Sequence, residues 1–294
     1  MTIGFIGLGI MGKPMAKNLL KAGFSLKAYD INTDAVRDVA AAGAVACKSA
    51  AEASKDVSAI ITMLPNSPEV EDVLLGKGGV VENALPNTLV VDMSSIAPDA
   101  SKKFEAALKE KNIRMIDAPV SGGEPKAIDG SLAIMVGGAQ SDFDEAKPLF
   151  DVMGASAILI GDVGSGNICK LTNQMIVALN IAALAEGLFL AEKAGADPEK
   201  VFGAIKGGLA GSTVMNAKAP MMLSGNHAPG FKVDLHIKDL NNALATAQSA
   251  DMPVPLTAFV MQLMQAIKLD GYGQSDHSAL AKFYEKTANA KLYE

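Results

Sequence analysis

From the N-terminus to about residue 160, short apolar and β-branched runs alternate with stretches whose apolar positions recur every three or four residues. Residues 3–6, 26–29, 59–63, 89–92, 114–117, 132–136 and 157–160 have the length and residue types of strands. Amphipathic stretches at 13–22, 98–111 and 142–153 read as helices between them. A strand, a helix and another strand in steady alternation predict βαβ units and a largely parallel sheet. After Gly166 the strand signals stop. Long Ala-, Leu- and Met-rich segments at 167–194, 198–206, 233–250 and 256–269 predict an all-helical second half. Asp197-Pro198 punctuates it with an N-cap and a proline at the first helical position. The expected architecture is an α/β Rossmann-type N-terminal domain, residues 1–162, followed by an all-α C-terminal domain, residues 163–294, with the boundary in the glycine cluster Gly161, Gly164 and Gly166.

The motif Gly7-Leu8-Gly9-Ile10-Met11-Gly12 follows the first strand and opens the first helix. In that context the first glycine serves a tight turn, the second admits a pyrophosphate to bare backbone, and the third lets helix and strand pack closely. Eighteen residues beyond Gly12, at the end of the second strand, Asp30 can accept from both hydroxyls of an adenosine ribose and would repel a 2′-phosphate. No arginine follows it directly, so the expected cofactor is NAD(H), with NADP(H) as the alternative. A plainer role for Asp30 is to open the turn that leads to Asp34.

A second glycine site, Ser121-Gly122-Gly123, follows another strand and offers a hydroxyl and successive N–H groups suited to a carboxylate, or else forms an ordinary turn into Glu124-Pro125. On the first long helix of the second half, Asn167, Lys170, Asn173 and Gln174 share one face. That polar stripe is a solvated edge, the simpler reading, or the lip of a cleft in which Lys170 could give or take a proton. Cys169 points about 100° away from Lys170 and reads as packed rather than reactive. His236 reads as a structural hydrogen-bonding residue, and Asp239 and Asn242 either anchor Lys238 or face water.

Composition narrows the classes. With 49% hydrophobic and 20% charged residues the chain is not disordered, and 26 basic against 32 acidic side chains, net −6, give no footprint for nucleic acid. Two cysteines and three scattered histidines have no metal-ligand spacing, so no metal is expected, and a reducing, cytoplasmic setting is. The N-terminal apolar stretch lacks a basic lead-in and runs into the glycine motif, unlike a secretory signal. The greasy run 175–191 contains Asn180 and Glu186 and reads as a buried helix rather than a membrane span.

Together the glycine motif, Asp117-Ala118-Pro119-Val120-Ser121-Gly122-Gly123, the run Gly164-Ser165-Gly166-Asn167 leading to Lys170, and Lys238-Asp239-Leu240 resemble the β-hydroxyacid dehydrogenase family along essentially the whole chain. The resemblance implies a small carboxylate-bearing aldehyde or hydroxy acid as substrate, Lys170 as catalytic acid or base, and Ser121, Gly122 and Gly123 as the carboxylate loop. It places Leu64, Pro65 and Ser95 against the cofactor with the glycine motif, and Lys238 near the nicotinamide. Many members carry an asparagine four residues after the lysine; here Asn173 stands at three and Gln174 at four, so the substrate-orienting amide is one or the other, with Asn173 favoured for its shorter side chain. The runs 207–213 and 276–279 most resemble the branch that reduces tartronate semialdehyde to glycerate. A 3-hydroxyisobutyrate dehydrogenase and a non-catalytic NAD-binding interaction module are the alternatives. The family's habit implies a homodimer or homotetramer.

Overall fold

The computed structural model describes residues 1–293 and divides into two compact units, Met1–Lys170 and Leu171–Glu294. The division falls inside one long helix, Ser165–Lys193, rather than in the glycine cluster just before it.

The first unit is built on nine strands: β1 (Thr2–Ile6), β2 (Ser25–Tyr29), β3 (Val45–Ala46), β4 (Ala59–Thr62), β5 (Leu89–Asp92), β6 (Arg114–Asp117), β7 (Val120–Ser121), β8 (Leu132–Gly137) and β9 (Gly154–Gly161). The order β3-β2-β1-β4-β5-β6 is parallel throughout and is that of the doubly wound dinucleotide-binding fold, with the order reversing between β1 and β4. Beyond β6 the sheet is mixed. The short ends of β6 and β7 run antiparallel to one side of β8, and β9 lies parallel on the other. The two-residue strands β3 and β7 are too short to leave a periodic signal in the sequence.

Every residue of β4 and β5 is buried, which is why these strands read as continuous apolar runs. Their side chains alternate between two cores. Phe5, Ile61, Val91 and Ile116 pack with Met15 and Leu19 of the helix Gly12–Lys21 and with Leu149 and Phe150 of the helix Gln140–Met153. Ile60, Val90 and Met115 face the other way, onto Val70, Leu74, Phe104 and Leu108. Each large side chain removed from water contributes about 1.5–3 kcal/mol, so these two layers hold helices against both faces of the sheet.

The second unit is all-helical. Ala178, Ile181, Ala185 and Leu188 of the long helix meet Met215 and Met222 of Thr213–Ser224, Ile237 and Leu240 of Val233–Ser249, and Val260 and Met264 of Pro255–Ile267. The long helix is the one among the described residues long and apolar enough to cross a membrane, yet this face of it forms the centre of the helical core. Asp197 caps Pro198–Ile205 by accepting from the N–H groups of Glu199 and Lys200, as its position before proline predicts.

Candidate active site

The glycine loop lies at the carboxyl end of β1, where the strand order reverses. Gly7 has φ +98°, and a Cβ there would come within 2.3 Å of the Met63 carbonyl oxygen. A Cβ on Gly12 would lie 1.9 Å from the Gly7 carbonyl oxygen, so helix and turn close on each other only because both residues are glycine. Gly9 is different: a Cβ there would meet nothing within 4 Å. The middle glycine therefore leaves open the space in which a pyrophosphate would approach the backbone. The helix that follows has no side-chain N-cap and no acidic residue in its first turn, so its N–H groups and positive end are left for an anion. These residues fit a dinucleotide. Leu8 is buried, Ile10 exposed and Met11 half-buried, so the variable positions of the motif do different work.

Asp30 joins this loop to the next turn. One carboxylate oxygen accepts from the Leu8 N–H and the other from the Asn32 N–H at 2.7 Å. The turn-opening role is thus real, and each oxygen keeps a lone pair for a ribose hydroxyl. Leu64, after β4, is half-buried beside Gly7 and Pro65 is exposed; the Leu64 N–H donates to Ser94 Oγ at 2.9 Å. Ser95 is half-buried on the loop after β5. At the far edge of the sheet, Ser121 ends β7, and Gly122 and Gly123 have φ of +142° and +71°, a backbone path that suits glycine at both positions.

Lys170 is 6% exposed, and Asn167 and Gln174 on the same helix are also buried. The polar stripe is therefore not a solvated edge, which corrects the simpler reading of the sequence. Polarity at helical spacing cannot show what covers a face; the fold can. Asn167 is an anchor: its Oδ1 accepts from the Ile96 N–H at 3.0 Å and its Nδ2 donates to Ser101 Oγ at 3.1 Å. Its N–H donates to Asp117 Oδ2 at 2.7 Å, and the Gly164 N–H donates to Asp117 Oδ1 at 2.6 Å. Asp117 thus holds the start of the lysine-bearing helix, a role that sequence reasoning missed. The available signal was that the strand runs 89–92 and 114–117 both finish on an aspartate, Asp92 and Asp117.

In the second unit, the Asn173 amide donates to Gln174 Oε1 at 2.9 Å, and Gln174 Nε2 donates to Asp239 Oδ2. Lys238 Nζ stands 2.8 Å from Asp239 Oδ1. Of the two readings for Asp239, anchoring Lys238 is the one the geometry shows, and the carboxylate is buried while doing so. His236 Nε2 meets the Gln174 carbonyl at 3.1 Å, and its Nδ1 meets His277 Nδ1 at 2.9 Å. A carbonyl only accepts, so His236 donates through Nε2 and receives the His277 proton at Nδ1. This is the structural role expected of His236. Cys169 is half-buried.

Residues 2–161 match the NAD-binding domain of 6-phosphogluconate dehydrogenase, and residues 164–284 match the NAD-binding domain of NADP-dependent 3-hydroxyisobutyrate dehydrogenase. Escherichia coli 2-hydroxy-3-oxopropionate reductase is 44% identical over 292 residues, covering 99% of this chain and 100% of that protein. The chain belongs to the β-hydroxyacid dehydrogenase family. Another relative, 2-(hydroxymethyl)glutarate dehydrogenase of Eubacterium barkeri, is 40% identical over 99% of this chain and 97% of its own length. Among solved structures, Mycobacterium tuberculosis 3-hydroxyisobutyrate dehydrogenase with L-serine superimposes with a TM-score of 0.89 at 31% identity, covering 96% of this chain and 98% of that one. Membership makes this chain an oxidoreductase of the β-hydroxyacid type that works with a nicotinamide dinucleotide.

Proposed function

We propose that this protein reduces tartronate semialdehyde, 2-hydroxy-3-oxopropanoate, reversibly to glycerate with NADH, and that Lys170 is its general acid. The observation that carries the reading is a lysine buried on the first turns of a helix that two side chains tie to the strand ends. Likeness at 44% identity to a 2-hydroxy-3-oxopropionate reductase supports the choice of substrate.

The glycine loop, Gly7 to Gly12, would hold NADH, whose chemistry is to supply a hydride for the aldehyde carbon. The N–H groups and hydroxyl of Ser121, Gly122 and Gly123 hold the substrate carboxylate. Lys170 meets the negative charge that develops on the aldehyde oxygen and donates its proton there; in the oxidative direction the neutral amine takes the proton back. In this reading Asn173, whose amide is steadied by Gln174, orients the substrate, and Lys238, paired to Asp239, serves the nicotinamide. Leu64, Pro65 and Ser95 complete the cofactor contacts. Asp30 favours NADH over NADPH because a 2′-phosphate would approach its carboxylate.

The reading extends to assembly and place. Ile168, Ile176 and Leu190 are exposed within roughly 80° of one face of the long helix, an apolar strip that suits a homodimer or homotetramer. Sedimentation equilibrium that returns a 30.3 kDa monomer would count against it. Two cysteines without a disulfide suit the reducing cytoplasm.

A second reading, 3-hydroxyisobutyrate as the hydroxy acid, is favoured by the structural likeness to a 3-hydroxyisobutyrate dehydrogenase. NADH oxidation with tartronate semialdehyde and methylmalonate semialdehyde side by side separates the two. Higher kcat/KM for the first supports the proposal, higher kcat/KM for the second replaces it, and no turnover with either overturns both substrate readings.

A further inference from the structure

Thr62, Asp92 and Asp117 stand in register on β4, β5 and β6, one polar row across the carboxyl end of the sheet. Adjacent strands lie about 4.8 Å apart and in-register side chains leave on the same face, so Asp92 and Asp117 are neighbours. Both are wholly buried. Two carboxylates side by side without water resist double ionisation, and one of them takes up a proton first.

The hydrogen bonds distinguish them. Asp117 receives an N–H on each oxygen, from Gly164 at 2.6 Å and Asn167 at 2.7 Å, at the positive end of a 29-residue helix. Each oxygen of Asp117 thus carries an N–H that steadies its negative charge. Asp92 receives Thr62 Oγ1–H at 2.8 Å and the Ser94 N–H at 3.1 Å, both on Oδ1, while its Oδ2 is buried without a partner. A proton on that oxygen removes charge from the one site of the pair that no donor stabilises. The neighbouring helix Pro98–Lys109 brings Lys102 to Gly164, but that ammonium pairs with Asp99 at 3.3 Å. Burial pushes both carboxyls up to about 6, opposed by the hydrogen bonds each accepts, and the charge of Asp117 adds to the rise at Asp92.

We propose that Asp117 is the positioning residue for Lys170, remaining the anion that locks the helix start, while Asp92 takes the pair's first proton on Oδ2. The consequence for turnover rests on the Lys170 reading above; the placing of the proton does not. Asn167, whose N–H Asp117 holds, lies one helical turn before Lys170, so loosening that turn moves the ammonium. Asp117→Asn replaces one acceptor by an NH₂ group that must face an N–H.

Infrared titration of the wild type, with each band assigned by its loss in Asp92→Asn or in Asp117→Asn, tests the proton. The C=O stretch lost in Asp92→Asn is expected to appear first as the pH is lowered toward 6; the band lost in Asp117→Asn appearing first overturns the assignment. Kinetics test the positioning. Asp117→Asn is expected to lower kcat about 10- to 100-fold, the effect of a misplacement of about an ångström, with the Kd for NADH changed less than threefold; unchanged kcat overturns it. If the wild type reduces no aldehyde acid, the proposed reaction has failed separately. The Lys170 side-chain NMR resonance, assigned by its loss in Lys170→Ala, then decides the positioning: a shift in Asp117→Asn supports it and an unmoved signal ends it. If Asp117→Asn does not fold, kcat and the same resonance are read in Asp117→Ser, which keeps one small acceptor and removes the carboxylate that receives the Gly164 and Asn167 N–H groups. A loss of kcat or a shifted signal is expected there, and no change in either overturns the proposal.

Discussion

Replacing Asp92 by asparagine should make the protein more stable at neutral pH, although it alters a fully buried polar residue. The side chain is charged above about pH 6 in the folded chain but above 3.8 in an ordinary setting, because burial outweighs the bonds from Ser94 and Thr62. That interval, at about 1.4 kcal/mol for each tenfold change in proton affinity, corresponds to at most about 3 kcal/mol of stability that the wild type lacks at pH 7.5. Asparagine mimics the neutral acid: its carbonyl oxygen can keep Thr62 and Ser94, and its NH₂ takes the side where Oδ2 already has no partner. The sign follows from a raised native pKa. The folded wild type binds the extra proton, so its deficit is complete above pH 6, shrinks as pH falls, and is gone below about 3.8. Urea denaturation followed by circular dichroism at pH 7.5, 6 and 4 should therefore show Asp92→Asn ahead by up to about 3 kcal/mol at the first pH and level at the last. A variant that is weaker at pH 7.5, or ahead by the same margin at every pH, refutes the argument.

Lys170→Ala should lower kcat by about 10²- to 10⁴-fold with NADH affinity unchanged, measured by stopped-flow and by NADH fluorescence titration. Gly12→Ala, which sets a Cβ against the Gly7 carbonyl oxygen, should weaken NADH binding at least tenfold, read by the same titration. Asp30→Asn should narrow the preference for NADH over NADPH about tenfold, seen as the ratio of the two dissociation constants. Asp276 is held below the usual carboxylate range: burial acts to raise it, but the charges of His277 and Lys218 and the Phe231 and Ser278 N–H groups outweigh that. Asp276→Asn should therefore lower the melting temperature at pH 7, and the difference should fade as the pH is brought below 3.8 toward 2, the window over which the wild type loses this contribution.

Most of the first unit could be read from the sequence because its signals are local. Runs such as residues 59–63 and 89–92 are apolar on both faces, and the glycine motif after β1 is contiguous, with Gly12 closing on Gly7 five residues before it. β3 and β7 escaped because two residues show no period, and the antiparallel turn of β8 onto β6 depends on partners distant in sequence. The helices Thr213–Ser224 and Ala281–Ala288 were also missed; the first carries Pro220 inside it and has almost no one-sided pattern. At the site, residue types and their order were legible, since Gly7, Gly9, Gly12, Asp30 and Lys170 announce their chemistry. Burial was not. Whether Lys170, Gln174 and Asp239 face water depends on what folds over them, and the partnership of Asp92 with Asp117 exists only because two strands 25 residues apart come into register.

The unbroken rod from Ser165 to Lys193 sets a rule for anyone recombining these enzymes. Adding or deleting a single residue between Lys170 and Asn173 would spin everything downstream by roughly 100° about the axis, taking the amides of Asn173 and Gln174 out of phase with Lys170 and Asn167. Chimeras spliced within the rod must conserve phase to the residue, whereas a junction placed upstream, among the glycines at 161 and 164, is free of that constraint.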